Sequence, residues 1–224
     1  MNIPNILEEI KQNTKFQGGA SFEDFQIRAF IDALGNTVAR NPTMIEAGSN
    51  DCFYSILFNK LFERTEKPLN ICIEVSDKLI ELGRANVLAN GCDNFSFKHA
   101  RIGELDESYF DMIKQSNPNL WGNLSIETIT IKNLIKEFEL KEISMLHMDI
   151  QGSEIFVLEE LINLDIVVED IFLSTHKDSL FGSTHGKCID LFKKLNFEIV
   201  FSDEYKGGYG DGLIIAKRKS NGQS

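Results

Sequence analysis

Hydrophobic positions along the chain keep two rhythms. Phe22, Phe25, Ala29, Phe30, Ala33, Leu34 and Val38 fall three and four residues apart, which predicts an amphipathic helix with Ser21 as N-cap and Asn41-Pro42 as its end. Residues 5–11 predict a short helix before it, broken by Gly18-Gly19. From residue 43 short apolar runs alternate with helical spacing. Residues 43–48 (TMIEAG), 69–75 (LNICIEV), 94–100 (NFSFKHA), 143–150 (ISMLHMDI) and 167–175 (VVEDIFLST) read as buried strands. Between them, Phe53, Ile56, Leu57 and Leu61 mark one helix, and Ser76-Asp77 caps another that runs to about Asn90, where Gly91 stops it. Residues 104–115 predict a helix, and Asn117-Pro118-Asn119 a loop. Residues 127–140 start extended and turn helical, and Ser153 opens a helix through Leu161. Residues 182–186 read as loop, 187–195 as helix, 197–201 and 212–217 as strands, and 218–224 as a frayed tail.

Strands alternating with helices predict an α/β fold: a doubly wound, mostly parallel sheet with helices on both faces. The last two strands have no helix between them, so they form a hairpin and the final strand runs antiparallel. No linker divides residues 43–217, and no repeat is convincing; three of the four cysteines lie 20 apart, but their flanks disagree.

The chain has 224 residues, enough for one domain with a large core, and carries a net charge of −11 with its Lys and Arg scattered. A nucleic-acid or anionic-membrane partner is therefore not expected, because phosphate binding rests on clustered cations. The N-terminus lacks the pattern of a signal peptide, and no apolar run reaches membrane-span length. The cysteines include no C-x-x-C pair, which fits reduced thiols and a cytoplasmic protein.

In such a sheet, ligands bind beyond the carboxyl ends of the strands, at the switch point. The strands end here in Glu46-Ala47-Gly48-Ser49-Asn50-Asp51, Glu74-Val75-Ser76, His99-Ala100-Arg101, His147-Met148-Asp149-Ile150-Gln151-Gly152 and Ser174-Thr175-His176. Gly48 is a shortened glycine turn. The G-x-G-x-x-G pattern that admits a pyrophosphate is missing, so NAD is disfavoured. Glu74, at the end of an apolar strand, can accept hydrogen bonds from ribose hydroxyls. Together these features predict a cofactor containing a nucleoside.

Four blocks, EAGSND (46–51), IEVSDKLIELGRANVLANG (73–91), TITIKNLIKEF (128–138) and LHMDIQGSEIFVLEEL (146–161), resemble the FkbM family of S-adenosylmethionine-dependent methyltransferases. STH (174–176), His185 and GDGLIIAK (210–217) are similar to a subgroup of that family, and the resemblance spans about residues 43–217. It implies a class I methyltransferase (Rossmann-like) core of seven strands with an antiparallel last strand. Residues 41–217 would form the S-adenosylmethionine-binding domain. Residues 1–40 fall outside the resemblance and read as a helical cap, whose 22–40 helix folds over the cleft or makes a homodimer contact. Glu46, Ala47, Gly48, Ser49 and Asn50 would surround the methionine part of the cofactor, Glu74 with Val75 and Ser76 the ribose, and His99, Ala100 and Arg101 the adenine.

The resemblance also implies an acceptor: a hydroxyl oxygen of a sugar or other small molecule. Such a group needs its proton removed, a task for a positioned His or carboxylate. Asp149, at the end of a buried strand, is the first candidate. His176 is the preferred base, His185 the runner-up, and His147 a core residue. Gln151 and Asp211, the latter in the glycine loop 207–212, are expected to touch substrate. Trp121 reads as core before substrate wall. A divalent metal on Asp149, His176 and His185 is not favoured, because their spacing is not diagnostic. The alternatives are an NAD-dependent or nucleotide-sugar oxidoreductase on the same sheet and a cofactor-binding module without catalysis.

Overall fold

The computed structural model describes residue 15 and residues 24–34, 41–62, 67–103, 126–178, 182–205 and 212–219. The expected helices at 5–11 and 104–115, the Ser21 cap, the 117–119 loop, Trp121, Asp211 with the glycines before it, and the 220–224 part of the tail lie outside the described residues.

The elements follow the predicted order: α1 (Asp24–Leu34), β1 (Thr43–Ala47), α2 (Phe53–Phe62), β2 (Leu69–Glu74), α3 (Asp77–Ala89), β3 (Phe95–Ile102), β4 (Glu127–Ile129), α4 (Ile131–Phe138), β5 (Glu142–Met148), α5 (Glu154–Ile162), β6 (Val167–Thr175), β7 (Lys177–Asp178), β8 (Gly182–Ser183), α6 (His185–Lys194), β9 (Phe197–Asp203) and β10 (Gly212–Arg218). Eight strands make the main sheet in the order β4-β3-β2-β1-β5-β6-β10-β9. β10 is the strand that runs antiparallel, to β6 on one side and β9 on the other. The eighth strand beyond the expected seven is β4, whose three residues pair with the end of β3.

Local chemistry explains several boundaries. Thr130 and Asn133 form a reciprocal cap: the Thr130 hydroxyl accepts from Asn133 N–H at 3.1 Å while the Asn133 carbonyl accepts from Thr130 N–H at 3.0 Å. Ser76 caps α3 by accepting from Leu79 N–H. The 182–186 stretch departs from the predicted loop. Gly182-Ser183 pairs with Lys177-Asp178 as a two-stranded ribbon, and α6 begins at His185 rather than 187. A two-residue strand leaves no periodicity to read.

The sheet has two covered faces. Ile45, Ile73, Leu146, Met148 and Ile171 pack under α4, α5 and α6. Met44, Met145, Phe172, Leu213 and Ile215 pack under α1 and α2. α1 is held there by Phe30, fully buried, whose ring centre lies 4.9 Å from Tyr54 and 5.5 Å from Phe172. The chain turns outward in opposite directions from β1 and β5, so these neighbours bound the switch point.

Candidate active site at the switch point

Gly48 ends β1 in the left-handed region (φ +75), and the N–H groups of Gly48 and Ser49 both donate to Ile73 O, at 2.9 and 3.0 Å. Asp149 N–H donates to Ala47 O at 2.9 Å, which draws the β5 end tight against Gly48. The chain then turns through Gln151 (φ +52) and Gly152 (φ +102) into α5. Ser153 stands at the N-cap, as its sequence position suggests, but its hydroxyl makes no cap bond; Glu154 folds back instead and accepts from Ile150 N–H at 3.2 Å.

Beyond these ends lies a cavity of about 290 Å³, with apolar walls from Ile73, Val75, Leu79, Ala100, Ile102 and Ile150. Gly48, Asn50, Glu74, Arg101, Asp149, Gln151 and Ser153 complete its lining. Its size stands at the lower end of the roughly 300–1,000 Å³ of ligand pockets. Apolar walls suit a flat heterocycle, and Glu74 and Asp149 suit hydroxyl donors and a cation.

Six of the expected cofactor residues meet here: Gly48, Asn50, Glu74, Val75, Ala100 and Arg101. The structure does not bring the other four to the cavity. Ala47 is wholly inside the sheet, Ser49 is buried beside the turn, and Ser76 is occupied by its helix. Glu46 points to the opposite face from Ala47, where its carboxylate accepts from Ser55 N–H at 3.1 Å. His99 is likewise outside the lining, with Nε2 3.0 Å from Val75 O.

Glu74 organises the cavity floor. Its Oε2 accepts from Asn50 N–H at 3.0 Å, and its Oε1 from Val75 and Ser76 N–H at 2.8 and 3.0 Å. Burial pushes its pKa up, and the three backbone donors pull against that rise.

Register places Glu46 opposite Cys72 on one neighbouring strand and His147 on the other. Burial pushes Glu46 up to about 8 and His147 down to about 4, so both are uncharged at neutral pH. Among the described residues, Glu46, Cys52 and Cys72 are the three metal-ligating side chains that converge, all buried and away from the cavity. An unfolded Glu46 releases its proton near 4.5 and the folded one near 8, so stability falls as pH rises across that window. Glu46→Gln has no such proton. Its stability relative to the natural chain is expected to grow by an amount on the order of 4 kcal/mol between about pH 5 and pH 8.5. Thermal melts at both pH values measure this, and a constant difference would show that Glu46 is not held protonated.

At the cavity rim Asp149, 44 % exposed, faces buried His176, with Oδ1 3.1 Å from Nε2. Glu154 Oε1 lies 2.8 Å from Nδ1 on the other side of the ring. The Gln151 amide reaches Nε2 at 2.9 Å and donates to Asp149 Oδ1 at 3.3 Å. Burial works against a charge on His176. The hydrogen bonds to Asp149 and Glu154 and their negative charges outweigh it, holding the pKa at about 10. Burial raises the Asp149 pKa, but the His176 hydrogen bond and charge overcome it and hold the carboxyl below its ordinary value.

His185 is not brought to this cluster. Thr175 and His176 point to opposite sides of the chain, and His185 follows Thr175: its Nδ1 is 2.8 Å from Thr175 Oγ1 and its Nε2 2.9 Å from Ser202 Oγ. Asp149, His176 and His185 therefore do not form one metal-ligand set. Sequence reasoning missed Glu154 as a functional candidate. In the sequence Glu154 is one acid within the 146–161 block where a helix opens, and only the pairing of β6 with β5 carries His176 over it.

No curated protein matches this chain. A putative methyltransferase from Streptococcus mutans, solved in complex with SAH, superposes with a TM-score of 0.56 at 8% identity, covering 88% of this chain and 100% of that one. Precorrin-6y C5,15-methyltransferase from Geobacter metallireducens gives 0.54 at 12% identity, covering 92% and 95%. A putative rRNA-methylase from Clostridium thermocellum gives 0.52 at 12% identity, covering 90% and 99%. These likenesses establish the class I methyltransferase fold, Rossmann-like, with its antiparallel strand. The Methyltransferase FkbM domain matches residues 19–199, beginning before α1 and ending within β9. On that match over most of its length, the chain belongs to the FkbM family of S-adenosylmethionine-dependent methyltransferases.

Proposed function

We propose that this methyltransferase acts on a hydroxyl oxygen of a sugar or other small molecule, with Asp149 as the proton acceptor and His176 as the group that aligns it. The observation that carries this reading is the Asp149–His176 pair at the cavity rim. When bound, the cofactor supplies a methyl group on a positively charged sulfur. The cavity fits it: apolar walls for the adenine, Glu74 for the ribose hydroxyls, and two carboxylates beside a cation.

His176 holds both ring protons at neutral pH, so it does not take another. Asp149 remains ionised and exposed at the rim, where it can accept a hydroxyl proton. A carboxylate held this acidic is a weak base. It suffices for an oxygen whose acidity rises as it gains a substituent, because proton transfer follows the developing charge. Gln151 lines the same rim and is proposed to orient the acceptor. The net charge of −11 supports an acceptor other than nucleic acid. Among the described residues no helix is long and apolar enough to cross a membrane.

Supplying S-adenosylmethionine with panels of sugars, other hydroxylated small molecules and structured RNA, and following SAH release, tests the acceptor. Turnover on hydroxyl compounds alone is expected, and methylation of RNA or of nitrogen would overturn it. For the ribose role, Glu74→Ala removes the hydroxyl acceptor and leaves three backbone N–H groups without theirs. Calorimetry is expected to show SAH binding weakened about 100-fold, roughly 3 kcal/mol. Unchanged affinity would take Glu74 out of the cofactor site.

A further inference from the structure

Glu154 opens α5 and is wholly buried. Its Oε1 contacts His176 Nδ1 at 2.8 Å and also accepts from Ile150 N–H, while its Oε2 has no hydrogen-bond partner among the described residues. A carboxylate in such a place is costly unless a positive charge stands beside it. The ring that touches it reaches Asp149 through its other nitrogen. We propose that Glu154 is a positioning residue: acting through a doubly protonated His176, it holds the Asp149 carboxylate in place at the rim of the cavity. This rests on the reading of Asp149 as the proton acceptor.

The surroundings agree with a single positive ring between two negative groups. Asp149 and Glu154 face His176 directly, and Gln151 lies against Nε2. The Cys188 thiol of α6 faces Glu154 and is pushed up to about 12, by burial first and then by that carboxylate. The Asp149 charge in turn adds to the rise at Glu74 of β2 and Tyr54 of α2 and opposes the fall at His147 of β5. With both ring protons present, the Gln151 amide turns its oxygen to the Nε2–H and gives up its bond to Asp149 Oδ1, leaving that carboxylate to the ring. Thr184 fixes the backbone behind the ring, its hydroxyl accepting from His176 N–H at 3.0 Å and its own N–H donating to His176 O at 3.0 Å. The imidazolium cannot swing away without leaving Glu154 as an unpaired buried charge, so Asp149 inherits the rigidity of α5.

The protein has four histidines, which makes their ring nitrogens tractable by nitrogen-15 NMR, with His176→Asn assigning the signal. In the natural chain His176 is expected to keep both ring protons at about pH 8. In Glu154→Gln its titration should fall by at least about two pH units, because one of two flanking charges is gone. SAH affinity, read by calorimetry, should stay within about threefold, since Glu154 does not line the cavity. A His176 ring neutral at about pH 8 in the natural chain overturns the proposal, and needs no variant to be seen. So does a titration that Glu154→Gln leaves unmoved. If Glu154→Gln does not fold, Glu154→Asp supplies the comparison: it keeps the charge, draws it back by one methylene, and should lower the titration by a smaller amount. Failure of SAH to bind the natural chain, with the ring titrating as expected, would tell against the cofactor reading and support the Glu154–His176 coupling.

Discussion

Gly48→Ala is expected to leave little folded protein. A Cβ at this position would stand 1.9 Å from Asp149 O and 2.9 Å from Asp149 C, both backbone atoms, and the residue already sits at φ +75. Neither problem has a cheap remedy. The Asp149 carbonyl is fixed by the Asp149 N–H bond to Ala47 O, and the turn by the paired N–H bonds to Ile73 O. Relief requires β1 and β5 to part where the sheet switches direction. The left-handed backbone alone costs about 1–2 kcal/mol for an alanine. With the strand separation added, a loss of about 4 kcal/mol or more is expected, a large share of the roughly 5–15 kcal/mol that holds a domain together. Gly91 is the internal control: it too has positive φ (+61), but nothing lies within 4 Å of its would-be Cβ. Gly91→Ala should cost about 1 kcal/mol. Urea unfolding of the two variants side by side measures the difference, and equal losses would mean that the Gly48 contact can be relieved locally.

The largest effect on chemistry is expected at Asp149. Asp149→Asn preserves shape and removes the proton acceptor, so turnover of a hydroxyl acceptor should fall about 10²–10³-fold. SAH affinity should change by less than about threefold, because SAH carries no sulfonium for Asp149 to attract. Single-turnover SAH release with the acceptor identified in the screen reads the first quantity, and calorimetry the second. Turnover within a factor of about two of the natural chain would end the assignment of Asp149 as base.

The order of elements was legible because each apolar run carries its own period. The strand at 69–75 and the helix from Ser76 to Asn90 follow from local spacing and a capping serine, and the structure reproduces both within a residue or two. Gly48 and Glu74 were legible as a pair because they stand at strand ends, where this architecture opens. Side-chain direction was less so. All five residues of β1 are buried, so nothing in their hydropathy tells that Glu46 turns to the α2 face while Gly48 turns to the cavity. His185 was assigned to the cleft by its nearness to His176 in the chain. The β7–β8 ribbon, too short to predict, sends it instead to Thr175 and Ser202. Glu154 was hidden for a different reason: its partner is 22 residues away, and a contact between a helix start and the end of a neighbouring strand leaves no trace in either segment alone.

The position of β10 bears on how the protein is made. It is the last described strand in the chain, yet it lies inside the sheet, joined to β6 along six residue pairs and to β9 along another six. During synthesis β9 leaves the ribosome with no strand to join, and β6 waits with an open edge carrying Ile171, Phe172 and Leu173. Folding from the N-terminus can complete β4 through β6 but cannot close that edge until residues 212–218 arrive. A nascent chain halted just before Gly212 would lack two strands rather than one, and would present a long apolar edge to any neighbouring polypeptide.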